Sequence, residues 1–167
     1  SWAYADKRRY SAIKAVLIAA LGMLIYISIR FEWKFGVAAI AALIHDILIV
    51  IAFYGLFRIP INNPFIAGIL IVVGYSINDT IVIFDRIREN LKYMRKSRLE
   101  ELINKSINQT LVRSIMTSVT TIIAIIPLFI LGGAIIRDFT LPLIIGILAG
   151  TISSISIASP IYYQIDQ

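Results

Sequence analysis

The chain has 167 residues, 59% of them hydrophobic, with a mean hydropathy of +0.85. A soluble globular domain is nearer half apolar, so this is an integral membrane protein with little room for a soluble domain. No cysteine means no disulfide and no thiolate metal site, one histidine cannot make a multi-histidine site, and the net charge of +6 sits beside apolar runs, as in cytoplasmic membrane flanks rather than a nucleic-acid surface.

Residues 1–10 are polar and basic, with Lys7, Arg8 and Arg9, and are expected to lie outside the membrane. The chain starts at Ser1 with no charged-then-apolar leader, and is read as part of a longer protein. A first apolar span covers residues 11–29. Arg30-Phe31-Glu32-Trp33-Lys34 is a short charged turn with aromatics at interface level. The second span, residues 35–57, contains His45 and Asp46. Residues 58–64, with Pro60, Asn62, Asn63 and Pro64, break the helix. The third span, residues 65–84, contains Asn78 and Asp79 and runs into the charged Asp85, Arg86, Arg88 and Glu89 as one continuous helix.

Residues 85–105 form a basic segment with Arg86, Arg88, Lys92, Arg95, Lys96, Arg98 and Lys105. Leu91, Met94, Leu99, Leu102 and Ile103 give it a partly amphipathic helical pattern, expected near the membrane surface. The fourth span covers residues 107–131. Gly132-Gly133 and Arg137-Asp138 read as a turn, and the fifth span covers residues 139–162, leaving a tail at 164–167. Spans of this length cross about 30 Å of hydrocarbon at about 1.5 Å per residue. The expected fold is all-α, a polytopic bundle of five transmembrane helices.

The basic segment 85–105 is assigned to the cytoplasm. Five spans then put the N-terminus of the chain outside and the C-terminus inside. Lys7, Arg8, Arg9 and Lys14 oppose that orientation, which is tolerated if a large translocated domain precedes them.

Thr110, Arg113, Ser114, Thr117, Ser118 and Thr121 recur at helical spacing and make one polar stripe on the fourth span. Arg113 lies about 12 Å along the helix from Lys105, and Asp79 about 9 Å from Asp85, so the two are expected at similar depth as an intramembrane ion pair. Arg113 stays charged, whereas Asp79 can titrate. Burial favours the neutral acid and a nearby guanidinium favours the anion, so a small helix movement would switch Asp79, as a proton relay requires. The alternative is a static pair joining two helices. His45 and Asp46 lie about 17 Å from Lys34, near the midplane. They either pass protons or make structural hydrogen bonds. Asn78, Tyr75, Thr117 and Ser118 are supporting polar groups, and Ser76 is a further candidate partner for Asp79. Gly146 and Gly150 read as close-packing positions. No nucleophile–base–acid set, phosphate loop or nucleotide motif occurs, so neither an enzymatic activity nor a cofactor is expected beyond protons as the coupling ion.

The run VGYSINDTIVIFDRIREN at residues 73–90 resembles the fourth-helix signature of the SecF family of bacterial protein-export membrane subunits. The Arg30–Lys34 turn, Leu43-Ile44-His45-Asp46, NQTLVRSIMTS at 108–118 and GTISSISIASP at 150–160 are similar to further motifs of that family, in the same order. The resemblance covers nearly the whole chain. It implies helices two to six of a six-helix protein whose outer domain lies between helices one and two. It also implies a membrane fold like that of the resistance–nodulation–division (RND) transporters. SecD as paired subunit, the SecYEG channel, a preprotein substrate and use of the proton-motive force at the inner (cytoplasmic) membrane follow from it too. By the same resemblance Asp79 and Arg113 match the family's membrane charges implicated in proton flow. Residues 1–10 and Asn63-Pro64-Phe65 depart from the family pattern. A proton-coupled small-molecule transporter of RND-like architecture is the alternative.

Overall fold

The structure, a computed structural model, describes residues 2–93 and 98–167. It is helical throughout its elements. They are α1 (Trp2–Arg30), α2 (Trp33–Leu56), α3 (Asn63–Leu91), α4 (Leu99–Leu131), α5 (Ala134–Ser153), a π-helical turn (Ser154–Ala158) and α6 (Ser159–Asp166). The last three follow without a break as one rod, Ala134–Asp166. Five helices are therefore long and apolar enough to cross a membrane. The π turn has a local cause. Pro160 has no N–H to give to a carbonyl four residues back, and the ladder widens by one residue ahead of it.

Helix ends differ from the sequence expectation in four places, one of them the expected tail at 164–167, whose first three residues instead finish α6. Residues 2–10 are the first turns of α1 rather than a separate segment. The basic stretch 85–105 is not a helix of its own along the surface. Residues 85–91 finish α3 and residues 99–105 begin α4, because Leu99, Leu102 and Ile103 are buried against the core. Met94, Arg95 and Lys96 lie outside the described residues. Arg137 and Asp138 belong to α5, not to a turn. Both find partners as helical residues. The Arg137 guanidinium donates to the last carbonyls of α4, Phe129 (3.1 Å) and Ile130 (2.9 Å), and Asp138 accepts from Asn62 Nδ2.

Asn62 also caps α3, its Oδ1 accepting from Phe65 N at 3.1 Å. Ahead of it α2 closes with a Schellman pattern. Ile59 N donates to Tyr54 O (2.9 Å) and Arg58 N to Gly55 O (3.3 Å), which puts Arg58 at φ 53°. At the opposite end, Lys34 Nζ meets Asp166 Oδ1 at 2.5 Å and Arg88 donates to Arg30 O at 3.1 Å. One end of the bundle therefore gathers the α1–α2 turn, the C-terminal end of α3 and the end of the chain.

Helices α2, α3 and α5 are the interior, with 44–50% of their apolar windows buried, against 6% for α1 and 11% for α4. The core has two parts. Phe35, Phe84 and Tyr162 centre the larger, near the basic end, with Phe35 and Tyr162 stacked at 4.0 Å. Val50, Tyr54, Phe65 and Ile69 form the smaller, near the other end. Helices α3 and α5 approach closest along Gly68, Gly146 and Gly150. A Cβ on Gly68 would fall 2.6 Å from Pro142 Cγ, and one on Gly146 would overlap Val72.

Candidate functional site

Two carboxylates are buried between the two apolar clusters. Asp46 on α2 is wholly enclosed and Asp79 on α3 is 2% exposed. A buried ionised carboxylate costs several kcal/mol unless it is paired or hydrogen-bonded, so each must be accounted for. Asp46 is well held. Ser76 Oγ donates to its Oδ2, and His45 Nδ1, in the tautomer protonated there, donates to its Oδ1 at 3.2 Å. Adjacent helical side chains diverge by about 100°, yet His45 folds back onto its neighbour and keeps its ring half-exposed.

Asp79 is held weakly. Its one hydrogen bond comes from Thr151 Oγ1 at 3.5 Å, and no cation lies within ion-pair distance among the described residues. Thr151 Oγ1 is in turn 2.5 Å from Ser118 Oγ. A chain of polar groups thus crosses the bundle from Asp79 on α3, through Thr151 on α5, to Ser118 on α4. The two carboxylates share a neighbourhood. Ser76 and Asp79 stand three residues apart on one face of α3. Gly150 and Thr151 face them from α5, a Cβ on Gly150 falling 3.5 Å from Asp46 Oδ2.

The expected Asp79–Arg113 ion pair is not formed. The Ser118–Thr151–Asp79 chain sets Asp79 level with Ser118, so Arg113 lies five residues, about 7.5 Å, closer to the basic end. It also faces outward. Ser114 and Ser118 are buried and take the inner face, while Arg113, Met116 and Val119 are exposed. The polar stripe of α4 splits accordingly. Thr110, Ser114 and Ser118 turn in. Thr117, half-buried, donates to Arg113 O at 2.8 Å. Tyr75 reaches Thr121 Oγ1 at 3.4 Å rather than Asp79, and Ser76 serves Asp46 rather than Asp79. Asn78, beside Asp79 in sequence, points outward and is exposed.

Thr151 is the residue that sequence reasoning missed. Its signal was a hydroxyl directly after Gly146-x-x-x-Gly150, where α5 lies close enough to α3 for a short side chain to reach across.

A multi-pass helical membrane protein with buried carboxylates at a helix crossing is the class these features define. The family model for the C-terminal part of the protein export membrane proteins SecD/SecF matches residues 3–167. The chain belongs to the SecD/SecF family of protein-export membrane proteins. It is 50% identical over 161 residues to protein translocase subunit SecF of Alicyclobacillus acidocaldarius, covering 95% of this chain and 52% of the relative. It is 47% identical over 154 residues to that of Sebaldella termitidis, covering 92% and 50%. The Thermus thermophilus SecDF crystal structure, described as a translocon-associated membrane protein, superposes with a TM-score of 0.90 at 48% identity, over 94% of this chain and 22% of that one. The chain thus spans about half the length of these SecF relatives.

Proposed function

We propose that the chain is the membrane bundle of a SecF-type subunit that works with a SecD-type partner, beside the SecYEG channel, to couple proton movement to preprotein export across the bacterial cytoplasmic membrane. The observation that carries this reading is Asp79, 2% exposed yet held, among the described residues, by one long hydrogen bond and no cation. A carboxylate so placed is costly to bury unless it is paired or hydrogen-bonded, and a shift of a neighbouring helix changes what offsets that cost. It therefore exchanges its proton when its surroundings change. Asp46, with two close partners, positions α2 against α3 and is the poorer carrier.

The partner supports a second part of the reading. Arg113 and Asn78 are exposed on helices that would otherwise meet lipid, and a guanidinium in hydrocarbon is costly. A second helical half supplying a carboxylate to Arg113 removes that cost. The relative that fuses both subunits, SecDF, supports SecD in that role. The basic end, with Arg30, Lys34, Arg86, Arg88, Lys92 and Lys105, is assigned to the cytoplasm, which puts the N-terminus of the chain outside. The subunit is not an enzyme, needs no cofactor but the coupling proton, and adopts an RND-like half.

The test uses the full-length protein with its partner in sealed vesicles. Asp79→Asn is expected to abolish gradient-stimulated export while the complex assembles, and Asp79→Glu to retain part of it. Full export by Asp79→Asn refutes the relay. Loss of assembly by Asp79→Asn would make Asp79 a structural tie instead.

A further inference from the structure

A proton carried by Asp79 needs a route to the basic end of the bundle. Along α3 that stretch is apolar and buried, with Ile83, Phe84 and Ile87. The inner face of α4 differs. Ser106, Thr110, Ser114 and Ser118 recur every four residues and are 0%, 7%, 2% and 4% exposed. Both ends of this row are tied to polar groups. Ser118 joins Asp79 through Thr151. Ser106 Oγ accepts from Asn90 Nδ2 at 2.8 Å. Asn90 also donates to Gln109 Oε1 (3.0 Å), which accepts from Arg86 Nε at 2.7 Å near the surface.

The rungs are about 6 Å apart along the helix, and one water bridges two hydroxyls at about 2.8 Å from each. Ser114 sets this row apart from one that only packs. Ser106 and Thr110 donate to the carbonyls of Leu102 (2.8 Å) and Ser106 (3.0 Å), the usual bond of a hydroxyl within a helix. Ser114 Oγ makes no such bond and has no partner among the described residues. Native interiors seldom bury a hydroxyl unpartnered without a bound water or a functional reason.

We propose that Ser118, Ser114, Thr110 and Ser106 form a hydroxyl path for protons between Asp79 and the basic end, with Ser114 the rung that exchanges with water. It rests on Asp79 being the carrier. Asp79 releases one proton, each hydroxyl and bridging water accepts one and passes one on, and the solvent at the basic end receives one. No rung changes its net charge.

The full-length protein with its partner is reconstituted in vesicles holding a pH-sensitive dye, and gradient-driven proton uptake is followed in H2O and D2O. Ser114→Ala removes a hydroxyl that bonds no other group among the described residues, so assembly is expected to be unchanged while uptake slows several-fold and the solvent isotope effect grows. Thr110→Val should behave alike. Thr120→Val, on the exposed face of the same helix, should match wild type. Wild-type uptake and isotope effect in both Ser114→Ala and Thr110→Val, with uptake abolished by Asp79→Asn, overturn the path and leave Asp79 standing. Undiminished uptake by Asp79→Asn overturns the relay and the path together. If Ser114→Ala fails to assemble, Thr110→Val decides.

Discussion

Replacing Thr151 with Val tests whether the Asp79 site is built as described. Valine keeps the shape of threonine and removes its hydroxyl. Three contacts of Thr151 Oγ1 go: to Ser118 Oγ (2.5 Å), to Asp79 Oδ2 (3.5 Å) and to Ile147 O (2.9 Å). The last costs little, because that carbonyl keeps its helical partner. A typical hydrogen bond is worth about 0.5–1.5 kcal/mol net, and a buried group left unsatisfied costs about 1–3 kcal/mol. Thr151→Val is therefore expected to destabilise the protein by about 1–3 kcal/mol. Part of that cost belongs to Asp79. In an Asp79→Leu background no carboxylate remains to be stranded, and the cost should fall to about 1 kcal/mol, that of the Ser118 bond alone. Unfolding of the full-length complex in mixed micelles, followed by helical circular dichroism, measures both legs of the cycle. Additivity within about 0.3–0.5 kcal/mol, the range for sites with no shared partners, would show that Thr151 and Asp79 do not interact.

The same unfolding assay checks the helix seam and one helix end. Gly68→Ala drives a methyl to 2.6 Å from Pro142 Cγ and 2.9 Å from Phe139 O, and Gly146→Ala drives one into Val72, so each should cost about 1–3 kcal/mol. Gly22→Ala meets nothing within 4 Å and should instead stabilise by about 0.5–1 kcal/mol. Equal effects at the three positions would mean that α3 and α5 are not in close contact. Arg58→Gly relieves a left-handed backbone at φ 53° and should stabilise by about 0.5–1 kcal/mol, where a loss would show that the arginine side chain has a role of its own.

The five long apolar helices were legible in the sequence, because membrane insertion depends on summed hydropathy over about 20 residues and not on partners. The same rule singled out Asp46 and Asp79, since a carboxylate within an apolar span stands out by composition alone. Helix ends were less legible. Arg137 and Asp138 read as a turn, yet each is satisfied by a residue distant in the chain or on the neighbouring helix, which lets α5 start earlier.

The pairing of side chains was decided only by the tertiary structure. Arg113 and Asp79 had similar depths when each was counted from the charged segment between them, but depth in a bundle depends on how one helix slides and turns against the next. Close contact of Gly68, Gly146 and Gly150 sets α5 against α3 and brings Thr151, not Arg113, to Asp79. A rotation of about 100°, one residue on a helix, separates the outward Arg113 from the inward Ser114. The sequence pattern leaves that rotation open, because Arg113 and Ser114 both belong to the polar stripe of α4 and either could turn inward. Packing of its buried hydroxyls against α3 and α5 fixes it.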